Sequence, residues 1–570
     1  MKNAGDYSVD RVAPLAQTRT MDKRQFFFIL SASLIFTVVV IQWSYRSGRL
    51  SMDPVYDDVI YLLDARERLN DFDQQGIGNL LHSLWHKAPH SPWSTAAATA
   101  GFLIFGVNAW APYAVNGLLV MGFLLAADHF FQVRNFWPRA LISLVILALP
   151  MTVRAVHDFR PDFAVALITA IACLKTIELG LVGVAGESAN RRRFLGGLLF
   201  GLAYLIKPSF VYHTTALLLV SLFLSEATLW FRGLPSIDFG SHWFTTFLGR
   251  MGIFSAGCLA VSGLYYVKNW QDVLSYVAVN TGSGKDASYW RDSDSIWATL
   301  KAYVIGDLSE TFGSFLWIIS AAIWIGLIFN ALREEWRRAA FISAGLICAL
   351  VSLGIVCVSQ ISNDFFGLTW QILIVLTAVF SIGTLNLGSA PYIATIMFAV
   401  AIGSTRVFQP PFQKVWQVYP DALRSQSINE ALVKRFKKLI PVNPGDHRKN
   451  SPFIFVTFAG GVVDAYTQQW VAEEERYPGK FFNLPDSRSL EGHRQMIARA
   501  DIVEVASENA DAYWIAEFFP SSHLRKELLG IMRTDPAFFE VAPVRGQGGT
   551  VYVFVRKAAF RVRPETFDKD

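Results

Sequence analysis

Four short groups of charged side chains, far apart along the chain, have the residue types that a reaction of an anionic substrate needs. The first is Asp57-Asp58, which opens the run Asp57–Leu69. Two carboxylates at the head of a helix-forming run suit the positive end of that helix. Asp57, Tyr61, Asp64 and Arg68 then share one helical stripe, while Leu62, Ala65 and Leu69 form another with Asp58 at its head. The second group is Lys87, within His86-Lys87-Ala88-Pro89-His90-Ser91-Pro92-Trp93. The third is Arg160-Pro161-Asp162, with His157 and Asp158 nearby, and the fourth is Lys207, which closes Gly201-Leu202-Ala203-Tyr204-Leu205-Ile206-Lys207. Lysines bind phosphate as point charges, and Arg160 could bind it as a planar fork. A carboxylate could take the proton of an attacking hydroxyl.

Each group also has a plainer reading. Acids are ordinary at helix starts, Lys207 and Arg160 could snorkel at helix ends, and Asp162 could simply pair with Arg160. His82, His86 and His90 recur at a metal-binding spacing, but Pro89 breaks the helix that would align them. What weighs against the plainer readings is where these groups lie relative to a membrane.

The chain has 570 residues, 52% hydrophobic and 17% charged, with a mean hydropathy of +0.33. A soluble chain carries nearer a quarter charged residues, so a multi-pass membrane protein is expected. The net charge of +5 is small for this length, and no basic, aromatic-interleaved stripe argues for nucleic acid. Cys173, Cys258, Cys348 and Cys357 all lie in apolar segments without metal-type spacing and read as small hydrophobes.

Residues 1–25 carry Lys2, Arg11, Arg19, Lys23 and Arg24 and are expected to stay cytoplasmic. A first span near 26–43 is uncleaved and delivers residues 44–92 to the other side. Spans near 111–130, 139–151 and 163–180 follow, with cytoplasmic basic loops at Arg134–Arg139 and Arg191-Arg192-Arg193. That parity leaves no crossing for 93–107, which is too short for one and is expected to lie in the outer interface. Asp57, Lys87 and Arg160–Asp162 therefore come out on one, non-cytoplasmic side. Further spans are expected near 194–206, 210–230, 249–267, 312–330, 339–358, 365–383 and 391–404, about eleven in all, with a polar external loop over 268–300.

From about 405 a Pro-punctuated, charged linker leads to a soluble module over 451–570. Strands are expected at Ile454–Phe458, Asp501–Val505 and Val551–Val555, with helices at Asp464–Glu475 and near 522–532, a small α/β domain on the extracytoplasmic side. Gly460-Gly461 after the first strand lacks the fuller dinucleotide-binding pattern.

In order, these pieces resemble the GT-C glycosyltransferases that use polyprenyl-phosphate sugars, the group holding the aminoarabinose transferase of lipid A and the protein O-mannosyltransferases. The D-E-x-x-Y-A-x-x-A-R-E of the bacterial branch is similar to Asp57-Asp58-Val59-Ile60-Tyr61-Leu62-Leu63-Asp64-Ala65-Arg66-Glu67. K-P-P-L-x-x-W resembles Lys87 to Trp93, which keeps the Lys, one Pro and the Trp. Phe105-Gly106 with Trp110, Asp162 at the head of a span, and G-L-x-x-L-x-K at Gly201–Lys207 complete the match over residues 25–300.

The resemblance implies a polytopic helical fold with juxtamembrane helices in the first external loop. It also implies an inverting transferase in the inner membrane, with its site on the periplasmic side, moving a sugar from a polyprenyl phosphate to an envelope glycolipid, polysaccharide or protein. Asp57 would be the general base, supported by Asp58. Lys87, Arg160 and Lys207 would bind the donor phosphate, and Asp162 would orient Arg160 or the acceptor. Tyr61 and Arg66 belong to the same motif. A divalent metal, Mg or Mn, would fall to Asp57, Asp58 and His86, although His86 stands where some members have an acid. Two rivals stay open: an oligosaccharide ligase or polymerase with a diphosphate-linked donor, and a transporter. Transporters more often carry mid-span charges and an internal repeat.

Overall fold

The computed structural model describes residues 22–46, 49–50, 54, 56–85, 91–182, 187–230, 241–280, 295–305, 315–333, 335–358, 364–385, 428–439, 453–458, 465–483, 490–507, 524–546 and 549–559. The apolar runs fold as helices because a backbone in lipid must satisfy its own hydrogen bonds. In order these are α1 (Lys23–Arg46), α2 (Tyr56–Gln75), α3 (Ile77–Trp85), α4 (Pro92–Phe105), α5 (Ala111–Val115), α6 (Gly117–Phe131), α7 (Phe136–Ala148) and α8 (Pro150–His157). They continue as α9 (Pro161–Val182), α10 (Glu187–Ile206), α11 (Val211–Trp230), α12 (Ser241–Asn280), α13 (Ile296–Val304), α14 (Phe315–Leu332), α15 (Trp336–Val358) and α16 (Leu368–Thr384).

Among the described residues seven helical segments are long and apolar enough to cross a membrane, or eight if α7 and α8 are one broken span. That pair bends by 63°, because Pro150 cannot continue the ladder and Leu149 adopts an extended ψ of 132°. α10 and the shorter apolar α14 fill two more expected positions, while 391–404 lies outside the described residues. α16 is the most enclosed span, buried over 83% of its apolar window, and packs against α6, α9, α14 and α15.

Two expectations change. α12 is a 40-residue helix that runs on to Asn280, so the polar segment from 268 is helical at its start. It stays helical because Val273 and Val277 are buried with Tyr265 against Leu205 and Val211. The stretch read as a linker contains a helix, α17 (428–439), whose Leu432, Val433 and Phe436 are buried in the C-terminal core, so the packed unit reaches back at least to 428.

That unit is a five-stranded sheet of order β2-β1-β3-β5-β4, made of β1 (Phe453–Phe458), β2 (Gly479–Asn483), β3 (Ile502–Ala506), β4 (Phe538–Gly546) and β5 (Gly549–Arg556). β1 pairs in parallel with β2 and β3, whereas β5 is antiparallel to both β3 and β4. α18 (Ala465–Glu474), α19 (Leu490–Arg499) and α20 (Arg525–Thr534) accompany it. Gly460-Gly461 lies outside the described residues.

Candidate active site

The site begins where the first external loop meets the membrane helices. Asp58, in the first turn of α2, is buried, and its Oδ2 accepts three hydrogen bonds, from Arg49 at 2.8 Å, the Tyr113 hydroxyl at 2.6 Å and the Phe159 backbone N–H at 3.2 Å. Arg49 also reaches Asp158 at 3.2 Å, and Arg154 pairs with Asp158 at 3.6 Å. Burial works against the Arg49 charge, but the Asp158 and Asp58 carboxylates more than offset it and raise its pKa. Tyr61 is buried one turn further on, with its ring edge-on to Phe159 at 6.4 Å.

The bond to Phe159 fixes α2 beside the next residue, Arg160. Pro161 then starts α9 at the position where a missing N–H costs nothing, and Asp162 lies in its first turn, where the dipole favours a carboxylate. Asp162 Oδ1 pairs with Lys207 Nζ at 2.5 Å, with only 6% and 13% of the two side chains exposed. Pro208 ends α10 and leaves Lys207 at its mouth. The short turn Asp364–Gly367 brings two rings to these cations. Arg160 lies over Phe365 at 4.2 Å and Arg154 over the same ring at 4.7 Å. Lys207 lies 4.4 Å from the Phe210 ring centre and 4.7 Å from that of Phe366. Such cation–ring contacts hold the charges in place without neutralising them.

The second predicted group is tied in by its neighbour. Ser91 caps α4, accepting from the Ser94 N–H at 3.1 Å, and donates to the Ile206 carbonyl at 3.0 Å. The chain four residues after Lys87 is thus held beside Lys207. Lys87 and His86 themselves lie outside the described residues, as does the side chain of Asp57, although Asp57 is within the first turn of α2.

Asp58, Arg160, Asp162 and Lys207 therefore form one contact chain at one end of the helix bundle. Asp162 bonds Lys207 where the sequence had suggested Arg160. Arg66 points elsewhere: its guanidinium stacks on Trp470 of α18 at 3.8 Å, donates to the Trp470 carbonyl and meets Glu473 and Glu474 at 3.7 Å each. Arg49, Arg154, Phe365 and Phe366 had been assigned no role. A cation inside the buried segment Met151–His157 was the available signal for Arg154.

Counting the described groups, four cations (Arg49, Arg154, Arg160, Lys207) face three carboxylates (Asp58, Asp158, Asp162). Arg160 and Lys207, backed by the rings of Phe365, Phe366 and Phe210, are donors of the kind that bind an anion. Asp58 Oδ2 is saturated by its three donors, whereas Oδ1 is buried without a partner among the described residues; Asp57 and His86, the other residues expected to hold a metal, lie outside the described side chains. Among the described residues no three His, Cys, Asp or Glu side chains gather into a metal-sized group.

No family model matches the sequence, and no curated protein matches it significantly. Solved structures do match in fold. ArnT from Cupriavidus metallidurans bound to undecaprenyl phosphate superposes with a TM-score of 0.54 at 12% identity, covering 94% of this chain and 98% of that one. Its apo form gives 0.50 at 13% identity over 92% and 97%. The arabinofuranosyltransferase AftD from Mycobacteria gives 0.52 at 13% identity over 94% of this chain and 40% of that one.

Proposed function

The chain has the GT-C fold, and we propose that it is an inverting glycosyltransferase that moves one sugar from a polyprenyl phosphate to an extracytoplasmic acceptor in the cell envelope. The acceptor hydroxyl attacks the anomeric carbon as the bond from that carbon to the phosphate oxygen breaks, and the acceptor proton passes to Asp57. The departing polyprenyl phosphate gathers charge, which Lys207, Arg160 and Lys87 stabilise. Asp162 holds Lys207 at that position. Asp58 positions the head of α2 through Arg49 and Phe159, so Asp57 has a fixed seat. ArnT bound to undecaprenyl phosphate supports the lipid-phosphate donor by likeness of fold.

The observation that supports this reading is the linkage of Asp58 to Phe159, next to Arg160, and of Asp162 to Lys207.

The test is transfer by the reconstituted protein from a synthetic polyprenyl-phosphate sugar. Asp57→Asn should remain folded and bind donor while transfer falls by about 10²–10⁴; near-normal transfer overturns the assignment. Product mass separates addition of one sugar from addition of a chain. Donor movement across vesicles without transfer would point to a transporter.

A further inference from the structure

The end of α10 that presents Lys207 has a gap in its backbone hydrogen bonding. In a helix the Tyr204 carbonyl would accept from the N–H four residues on, but that residue is Pro208, which has none. Lys207 itself leaves the helix, with φ −142° and ψ 86°. A carbonyl left unpaired away from water costs about as much as a lost hydrogen bond, and α12 supplies the donor. The Tyr266 hydroxyl donates to the Tyr204 carbonyl at 3.2 Å and lies 3.5 Å from the Pro208 carbonyl, so it reaches the backbone on both sides of Lys207.

Neighbouring contacts hold that hydroxyl in place. The Tyr266 ring stands edge-on to the Tyr204 ring at 6.1 Å, and the Tyr204 hydroxyl is itself bonded to Thr215 at 2.7 Å. Tyr265 is buried with Leu205 and Val211 packed against its cluster. Further along, α10 and α12 approach closely through glycines: a Cβ added at Gly257 would run into the Phe194 carbonyl, and one at Gly201 would lie 2.6 Å from the Cys258 carbonyl. We propose that Tyr266 is a positioning residue for the donor phosphate. Its hydroxyl replaces the N–H that Pro208 lacks and fixes the backbone from which Lys207 reaches the lipid-linked phosphate. Lys207 is then held at two places, by Asp162 at its charge and by Tyr266 at its backbone. Tyr266 touches neither substrate nor the reacting atoms, and its role rests on the phosphate binding assigned to Lys207 above.

The test uses the full chain in detergent, titrated with a polyprenyl phosphate and with the matching polyprenol under native mass spectrometry, so that the ratio of the two affinities reads the phosphate alone. Tyr266→Phe, which keeps the ring, should lower that ratio about three- to tenfold while polyprenol binding stays as in the wild type. In a Lys207→Ala chain the same substitution should lower it no further, because both act through one contact. A purely structural tyrosine would weaken both lipids alike, or add its loss to that of Lys207→Ala; either result overturns the proposal, as does an unchanged ratio. If Tyr266→Phe does not fold, the glycines decide. Gly257→Ala, which forces α12 from α10, should lower the ratio, and Gly252→Ala, whose methyl meets nothing within 4 Å, should not; equal ratios in the two overturn the proposal. A wild-type chain without preference for the phosphate, or with one that Lys207→Ala leaves intact, overturns the role of Lys207 and that of Tyr266 with it. A preference that depends on Lys207 and not on Tyr266 overturns the role of Tyr266 alone.

Discussion

At Asp58 one buried carboxylate oxygen joins three separate stretches, Arg49 after α1, Tyr113 in α5 and Phe159 before α9. Removing one partner of such a pair strands the others in a desolvated place, so Asp58→Ala should cost about 3–5 kcal/mol, read as a fall in melting temperature in detergent. Glu504 is the opposite case, a fully buried acid in central strand β3 whose single described bond comes from Gln468 at 2.7 Å. Burial pushes its pKa up to about 8, with the Gln468 bond opposing. The unfolded chain releases this proton near the ordinary value of 4.5, so between there and about 8 the folded state holds the extra proton. Local stability is full below pH 4.5 and declines as pH rises through that window. Amide exchange of Ile502–Ala506, corrected for intrinsic rate, should be faster at pH 8 than at pH 5, and Glu504→Gln should remove the difference.

Among the elements, α2 has two tasks. Its head carries the acid pair, and Arg66 on its next turns grips α18 of the C-terminal unit. Trp470 is sunk in the same cluster as Val59, Leu62, Ala65, Phe102 and Phe159, and Thr467 donates to the Pro54 carbonyl at 3.1 Å. The C-terminal unit is thus docked on the loop that forms the site. Arg66→Ala removes the ring stack, worth about 0.5–2 kcal/mol, and leaves Glu473 and Glu474 without their counter-charge. Protease cleavage within 428–559 should quicken while the transmembrane helices stay protected. Unchanged cleavage would mean that the apolar contacts of Trp470 suffice.

On the scale of the whole molecule, Arg160 and Lys207 stand at one mouth of a bundle in which, among the described residues, seven or eight apolar spans include the enclosed α16; the proposed donor, a charged head on a long apolar tail, would use both. A ligand that binds only the folded state stabilises it by mass action, by about 2.7 kcal/mol at a concentration of about 100 Kd. Polyprenyl phosphate should accordingly raise the melting temperature of the wild-type protein, the free polyprenol less so, and Lys207→Ala should lose most of the phosphate-dependent part. An equal shift with both lipids would show that the basic mouth does not read the phosphate.

The membrane class and most of the apolar helices were legible in the sequence, because apolar length, Pro150, Pro161 and Pro208 act locally, and Asp58, Arg160, Asp162 and Lys207 do stand at helix ends; the reactive roles given to these groups remain the proposal. β2 and β4 were missed: Gly479–Asn483 is a short edge strand, and Phe538–Gly546 breaks its alternation at an irregularity between Val541 and Val544. The extension of α12 was hidden because its polar Lys268-Asn269-Trp270 outweighs the buried Val273 and Val277 that keep it helical. Partner choice was beyond reach for a related reason. That Asp162 meets Lys207 and not Arg160, and that Arg49 closes on Asp58, depends on which helix ends lie side by side. Sequence alone determined which charges stand at helix ends; only the packing of α2, α9, α10 and the Asp364–Gly367 turn decided which of them meet, since contacts between distant residues are set by the shape of the whole core.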